Sequence, residues 1–232
     1  MEDEHFPRLQ NSMKTKLRTF ARLLWILIIP VLNIFYGVLN HGGANVRSLM
    51  TALDERIPLI PAFIIPYLIW YPFVFVMLIV LFTEKRRAYY RTLITLCLGL
   101  VSCYIIFHLF QTSIHRPQIT DHGWLSLLIR LVYQMDGPYN CFPSIHALTS
   151  YLILRGSNEC LNLSRVSRLL IGITSWSIII STVFVKQHVV LDILGAIVLA
   201  ELLIFAVGKW FPSLVEAKPS NVLKSGRWRK YL

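Results

Sequence analysis

The sequence predicts an all-α polytopic membrane protein, a bundle of six transmembrane helices with both termini in the cytoplasm. Hydrophobic residues make up 55% of the 232 residues and charged residues only 15%, which is too apolar for a soluble domain of this length. Apolar runs recur that are long enough to cross a hydrocarbon core of about 30 Å, which takes roughly 20 helical residues. Helices are the expected form because lipid offers no hydrogen-bond partner to an unpaired backbone group.

Five of the six elements are apolar runs of spanning length. The fourth element in chain order, 145–154, is shorter, so it is a span only if it continues past Arg155 or packs among the other helices. We interpret the first run as a retained anchor, since no small-residue cleavage pattern follows it. The five long runs are 23–40, 59–82, 92–110, 169–185 and 189–207.

The positions of lysine and arginine orient the bundle. Five precede the first run, four lie between the second and third, three follow the short fourth element, and six lie from Lys209 onward. By the positive-inside rule these stretches face the cytoplasm, and the connections 41–57, 111–142 and 186–188 face outward. The net charge of +11 is therefore explained by the cytoplasmic connections of a membrane protein, and no nucleic-acid partner is predicted. The expected location is the plasma or cell membrane.

One helical membrane domain accounts for most of the chain. We predict a cytoplasmic basic segment (1–22), a six-helix membrane domain (23–210) and a cytoplasmic basic tail (211–232). The four cysteines show no ligand-like spacing, so no disulfide framework, metal site or other cofactor is predicted. The adjacent acids Asp54 and Glu55 are interpreted as part of a solvated outer loop.

Polar residues that are costly beside lipid gather in three outward-facing segments, 113–117, 141–146 and 181–192. The predicted topology places all three at one depth of the membrane. Ionisable groups embedded in this way are functional candidates by default. The connection 124–135 before the second segment is amphipathic, which predicts a helix on the membrane that gates lipid access or serves as an ordinary packed connector.

The second segment predicts the start of a helix. Pro143 suits the first turn, where its missing N–H would be unpaired anyway, and Ser144 beside it can cap the exposed amides. His146 then lies in the first turn, where free N–H groups and the positive end of the helix dipole favour an anion such as phosphate.

The third segment predicts an activated histidine. His188 and Asp192 are four residues apart, so on a helix the carboxylate can accept a hydrogen bond from one imidazole nitrogen while the other stays free as a nucleophile. Thr182 and Lys186 have the same spacing. If the helix continues that far, the Lys186 ammonium lies near the hydroxyls of Ser181 and Thr182 and adds a positive charge to the pocket.

Each residue also has a purely structural interpretation. A lone His or Asp in a span is more often a helix–helix hydrogen-bond partner than a catalyst. Ser144 is equally well explained as a cap, and Arg116 as an anchor of its loop to lipid phosphates. Packing or interfacial anchoring explains Tyr67, Trp70 and Tyr71 better than headgroup recognition does. Two histidines, a carboxylate and two cations at one membrane face together favour a functional site.

In order along the chain, the fragments RP, FPSIH and STVFVKQHVVLD resemble the three motifs of the type 2 phosphatidic acid phosphatase superfamily. That superfamily includes bacterial acid phosphatases and vanadium haloperoxidases, and its motifs are KxxxxxxRP, PSGH and SRxxxxxHxxxD. The matching residues are Arg116 and Pro117 in the first motif, Pro143, Ser144 and His146 in the second, and Ser181, His188 and Asp192 in the third.

Three positions depart from the motifs. Ile145 replaces the glycine of the second motif, Leu109 stands where the first has lysine, and Thr182 stands where the third has arginine. Two phosphate-binding cations of the pattern are therefore missing. Lys186, one turn further on, is a hypothetical replacement for the arginine. These departures weaken the assignment of a substrate more than the assignment of activity.

The resemblance implies a six-helix core like that of the acid phosphatases and haloperoxidases, and a metal-independent lipid phosphate or prenyl diphosphate phosphatase. It implies that His188, oriented by Asp192, attacks phosphorus and that His146 protonates the leaving alkoxide at the outer face of the membrane. The residues expected to bind the phosphate oxygens are Arg116, Ser144, Lys186, Ser181 and Thr182.

The expected partner is a membrane lipid such as phosphatidic acid, phosphatidylglycerol phosphate or a prenyl diphosphate. One alternative is a phosphotransferase of the inositol phosphorylceramide synthase type, which uses the same residues but a lipid alcohol as acceptor. A second is a catalytically inactive relative that binds a lipid phosphate. A proton-coupled transporter is the least favoured, because its His and Asp would be expected near the membrane midplane.

Overall fold

The structure is a computed structural model that describes residues 19–43 and 45–212. The predicted basic N-terminal segment up to residue 18 and the basic tail from residue 213 lie outside these residues. The described chain is mostly helical, as predicted. Its shorter elements are two strands, β1 and β2, and two connecting helices, α2 and α5; their bounds are Arg47–Ser48, Thr112–Ser113, Ala52–Arg56 and Trp124–Met135.

Among the described residues, five helices are long and apolar enough to cross a membrane: α1 (Thr19–Leu39), α3 (Ile64–Glu84), α4 (Arg86–Leu109), α7 (Arg165–Phe184) and α8 (Val190–Trp210). Their outer faces carry large apolar side chains that are exposed in the isolated chain, which is the expected surface for contact with lipid. Examples are Ile34, Val76, Ile105, Leu170, Val198 and Phe205. The protein is therefore a multi-pass membrane protein.

The short fourth element is the helix α6 (Ile145–Ser157), which packs against α3, α4, α7 and α8. It continues past Arg155 but is only 13 residues long, so by length alone it does not qualify as a span. It comes very close to α4, because a Cβ placed on Gly156 would lie 2.2 Å from Thr92 Oγ1. This central helix presents its N-terminal residues to the candidate site.

Helix α1 is the least enclosed of the long helices. Only 11% of its most apolar window is buried, and its main packing partner is α4. It has no comparable contact with α3, although both helices contribute side chains to the cavity described below. Helices α1 and α3 therefore border the same cavity without packing closely on each other.

The connections at one end of the bundle are tied to one another. Strands β1 and β2 pair in parallel, with Arg47 opposite Thr112. The side chain of Thr112 accepts a hydrogen bond from the Phe142 N–H at 2.8 Å. Helix α5 packs its apolar side, including the fully buried Ile129, against the start of α3 and against Val185. All three polar segments predicted from the sequence meet at this end.

The ends of the described chain lie at the opposite end of the bundle. Tyr89, near the start of α4, donates a hydrogen bond to the Leu23 carbonyl at 3.3 Å. Arg87, also near the start of α4, donates to the Pro212 carbonyl at 3.2 Å. The beginning of α1 and the end of α8 are therefore on the same side, away from the candidate site.

Candidate functional site

A cavity of about 260 Å³ lies where the three polar segments meet. It is lined by His146 from the start of α6, by His188 from the turn before α8 and by Arg116 from the connection after β2. The two imidazole rings have their centroids 5.9 Å apart and are tilted by 59°. One phosphoryl group placed between them can contact both rings.

His188 is held with one ring nitrogen free. Its Nδ1 lies 2.9 Å from the Cys141 carbonyl oxygen and 3.3 Å from Asp192 Oδ2. Both neighbours are hydrogen-bond acceptors, so the proton belongs on Nδ1 and the lone pair on Nε2. The predicted pairing of His188 with Asp192 is present in the structure.

The pairing arises from a helix cap, however, and not from two positions on one helix face. Helix α8 begins at Val190, so His188 lies before it, in the turn. Asp192, which is fully buried, accepts the Val189 N–H at 2.9 Å through the same Oδ2 that faces His188. Its carboxylate thus fixes the helix start and the orientation of the histidine together.

His146 is the second residue of α6 and is clamped between aromatic rings. It stacks on Tyr67 with 4.5 Å between ring centroids, and Trp70 lies 4.1 Å away on a tilted plane. Trp70 is itself fixed by a hydrogen bond of 2.7 Å from its indole N–H to Thr149 Oγ1. These contacts hold the imidazole toward His188. Helix α6 starts at Ile145, so Pro143 precedes the helix and is not in its first turn.

Arg116 lies across the wall of the cavity. Its terminal nitrogens donate to the carbonyl oxygens of Asp136 at 2.6 Å and Gly137 at 3.0 Å, and to the side-chain oxygen of Gln187. The guanidinium also lies 4.7 Å above the ring of Tyr133. Because its two terminal nitrogens donate to protein oxygens, the guanidinium is held in one orientation as a fixed positive charge at the cavity.

Three of the predicted phosphate ligands use their hydroxyls elsewhere. Ser144 is the N-cap of α6, where its Oγ accepts the Ala147 N–H at 3.2 Å. Ser181 and Thr182 are fully buried and donate to carbonyls of the preceding turn of α7. None of the three is among the residues that line the cavity. These three hydroxyls contribute to helix geometry in the structure, and their expected role in phosphate binding stays a prediction.

Lys186 is also turned away from the cavity. Helix α7 ends at Phe184, so the helical spacing to Thr182 on which the prediction depended does not apply. Lys186 adopts a left-handed backbone conformation with a φ of 55°. Its buried ammonium donates to the backbone carbonyl of Asp54 at 2.8 Å. In the structure Lys186 therefore braces Asp54 and does not line the cavity, and its expected contact with a phosphate stays a prediction.

Asp54 is not a solvated loop residue, contrary to the prediction. It is 2% exposed, and its Oδ1 accepts the Val190 N–H at 2.8 Å. Its Oδ2 accepts from both the N–H and the hydroxyl of Thr51. Together with the Lys186 contact, these bonds join α2 to both sides of His188. We call this set the Asp54 brace.

The Asp54 carboxyl is held in its charged form. Burial alone would raise its pKa, but hydrogen bonds from Thr51 and Val190 and the nearby Lys186 ammonium outweigh burial and lower the pKa below its ordinary value. The brace is therefore complete at neutral pH. It weakens only as the pH falls through the lowered pKa of the folded state, where protonation removes an acceptor.

For the phosphatase activity proposed below, we expect Asp54→Ala to lower turnover by about 10- to 100-fold with a smaller change in KM, because the His188 turn loses its fixed position while the groups proposed to contact the substrate remain. The variant also leaves the buried Val190 N–H without its acceptor, so the thermal midpoint in detergent should fall. Steady-state kinetics and thermal unfolding of the purified protein measure both effects.

The matched control is Glu55→Ala, which removes the neighbouring carboxylate from an exposed position. It should leave both quantities at the parental values. A brace role is contradicted if Asp54→Ala and Glu55→Ala give the same turnover.

Several nitrogen atoms at the cavity are buried and have no hydrogen-bond partner within the described residues. They are Arg116 Nε, Asn140 Nδ2, His146 Nε2 and Gln187 Nε2, and all four residues line the cavity. A buried polar group without a partner is costly, so a set of this kind at one place points to a ligand. Nitrogen donors call for a ligand rich in acceptors, such as a phosphate.

Sequence reasoning missed Gln187, Asn140 and Asp136 as lining residues. Gln187 directly precedes the predicted nucleophile, and Asn140 lies just before the second motif, so closeness to the motifs was the signal available in the sequence. In the structure Asn140 adopts a left-handed φ of 58°. Asp136 lies in a connection with no motif of its own. Trp70 and Tyr71, predicted as packing or anchoring residues, also line the cavity.

The described residues contain no group of three or more His, Cys, Asp or Glu side chains arranged to hold a metal ion. No known protein family, curated protein or solved structure matches this chain.

Proposed function

We propose that this protein is a lipid phosphatase that acts without a metal through a phosphohistidine, by the chemistry of the type 2 phosphatidic acid phosphatases. The observation that carries the proposal is the set of buried, unpartnered nitrogens that surrounds the space between His146 and His188. They supply buried donors where charge develops on phosphoryl oxygens, and such preorganised donors provide much of the catalytic effect in phosphoryl transfer.

The first step is attack by His188. Its Nε2 lone pair forms a bond to phosphorus while the bond from phosphorus to the lipid oxygen breaks. His146, as imidazolium, gives its proton to the leaving oxygen. Arg116 and the amide nitrogens of Gln187 and Asn140 stabilise the phosphoryl oxygens. The products are the free lipid alcohol and phosphohistidine.

The second step returns the enzyme to its starting state. Water attacks phosphorus, its proton passes to His146, and the bond from phosphorus to the His188 nitrogen breaks. Inorganic phosphate is released. A lipid alcohol in place of water would give a phosphotransferase with the same residues, so the acceptor and not the site distinguishes the two activities.

A lipid substrate suits the position of the cavity. Tyr71 from α3 lines the cavity and is itself 56% exposed in the isolated chain. A headgroup can therefore reach His146 and His188 while its hydrocarbon chains stay in the bilayer. With α6 counted as a sixth crossing, the positive-inside rule puts this end of the bundle at the outer face of the membrane.

The proposal predicts release of phosphate by the purified protein in detergent with EDTA present. The substrates are phosphatidic acid, phosphatidylglycerol phosphate and undecaprenyl diphosphate, each followed by the appearance of its dephosphorylated lipid. The blank is the same preparation of the His188→Ala variant. Supplementing the assay with a long-chain alcohol distinguishes transfer from hydrolysis by the lipid product formed.

The proposal fails if the protein releases no phosphate and forms no transfer product from any lipid of the panel. It also fails if activity requires a divalent metal and survives in His188→Ala. In the first case a binding-only relative becomes the better interpretation, and in the second the phosphohistidine route is excluded.

A further inference from the structure

The cavity has a second side that a simple phosphate does not explain. Asp136 lines it directly beside Arg116, whose guanidinium binds the Asp136 backbone carbonyl. The Asp136 carboxylate is fixed by hydrogen bonds from Tyr36 Oη at 2.7 Å and from Asn40 Nδ2 at 2.8 Å. No cation of the described chain lies within ion-pair distance of this carboxylate.

Aromatic rings accompany this carboxylate. Tyr36 from α1, Trp70 and Tyr71 from α3, and Tyr139 from the connection before α6 all line the same cavity. Trp70 and Tyr71 meet edge to face with 4.6 Å between ring centroids. Aromatic faces beside a carboxylate form a favourable environment for an ammonium group, through cation–π attraction and ion pairing.

Charge balance distinguishes possible ligands. The charged groups at the cavity are the Arg116 guanidinium, the His146 imidazolium of the proposed mechanism and the Asp136 carboxylate, and the carboxylate is the one group there that calls for a cation. A phosphate monoester would bring close to two negative charges beside Asp136 and no cation to pair with its carboxylate, so the like charges repel. A phosphodiester with an ammonium end has no net charge and places each of its charges next to an opposite one.

We infer that Asp136 and the surrounding aromatic residues form a subsite for the ammonium end of a zwitterionic phospholipid headgroup. The inference rests on the phosphohistidine chemistry of the proposed function and extends its substrates from lipid phosphate monoesters and diphosphates to zwitterionic phosphodiesters. His188 Nε2 bonds to phosphorus as the bond to the diacylglycerol oxygen breaks, and His146 protonates that oxygen. The phospho-ammonium headgroup remains on His188 until water or a second hydroxyl group displaces it.

Equilibrium binding to the His188→Ala variant in detergent tests the subsite without turnover. The probes are dihexanoyl phosphatidylethanolamine, dihexanoyl phosphatidylcholine and dihexanoyl phosphatidic acid. We expect at least one zwitterionic lipid to bind about tenfold more tightly than the acid. Asp136→Asn, which keeps an oxygen acceptor for Tyr36 and Asn40, should abolish this preference, while the exposed control Glu55→Gln should retain it.

Equal or tighter binding of phosphatidic acid would overturn the inference, as would identical preferences in Asp136→Asn and Glu55→Gln. Measuring which lipids the parental protein cleaves distinguishes an error in the subsite from an error in the proposed function. Hydrolysis of phosphatidic acid without cleavage of either zwitterionic lipid upholds the phosphatase and rejects the subsite. Selective binding of a zwitterionic lipid with no turnover of any substrate upholds the subsite and rejects the phosphatase. Ethanolamine and choline lipids distinguish a primary from a quaternary ammonium.

Discussion

Replacing His188 by alanine is expected to lower lipid phosphate turnover by about 10⁴-fold or more, because the variant loses the only group that can form the phosphohistidine of the proposed mechanism. The fold should survive. The ring has a single short hydrogen bond, to the Cys141 carbonyl, and losing one such bond costs about 1 kcal/mol. Initial rates, size-exclusion profiles and thermal melts of the two proteins measure these effects side by side.

Trapping the intermediate gives the same prediction an independent readout. Parental protein mixed with lipid carrying radiolabelled phosphate and quenched in alkali should retain label that acid then removes, since phosphohistidine is stable to base and labile to acid. His188→Ala should retain none. The matched control is His115→Ala, which removes an exposed imidazole from the same end of the bundle. Equal labelling of parental protein and His188→Ala would reject the mechanism.

Much of the fold follows from length and polarity, which are local properties of the sequence. Runs of about 20 apolar residues have few alternatives in lipid to a spanning helix, and the part of the chain that the structure describes contains five such helices. The convergence of the three polar segments also followed from topology, because alternate connections of a helical bundle lie at the same end. The meeting of His146, His188 and Arg116 at one cavity is the structural consequence.

The roles of individual polar residues were less predictable, because they depend on where a helix stops. A helix ending two residues before Lys186 turns its ammonium from the expected site toward Asp54. The same turn places His188 before α8, where Asp192 orients it through a cap. Helix boundaries are set by contacts with distant segments, here α2, and one sequence contains little information about such contacts.

The Asp54 brace explains how a left-handed Lys186 and a charged carboxylate coexist next to lipid. A left-handed conformation in a residue other than glycine costs about 1 kcal/mol or more, so it persists where its surroundings fix it. Bonds from Lys186 and Val190 to Asp54 hold the chain on both sides of His188. The strain is therefore located at the turn that presents the proposed nucleophile, which is where positional accuracy matters most for attack.

Replacing His146 by glutamine should lower turnover of a lipid phosphate by roughly 10²- to 10⁴-fold, because the leaving alkoxide loses its proton donor. Glutamine is chosen over alanine so that the space between Tyr67 and Trp70 remains filled. The same variant should release the first equivalent of nitrophenol from p-nitrophenyl phosphate at nearly the parental rate. Nitrophenolate is a stable anion that leaves without protonation, so the first step no longer needs His146.

Rapid-mixing kinetics separate the two steps in this variant. A fast burst of nitrophenol followed by a slow steady rate is the expected result, since hydrolysis of the phosphohistidine still requires His146 to accept a proton from water. A residue that only supports the cavity through packing would slow the burst as much as the steady rate, and for both substrates alike. If the burst rate falls by the same factor as lipid turnover, His146 has a structural role. The proposed mechanism would then have no residue that acts as general acid.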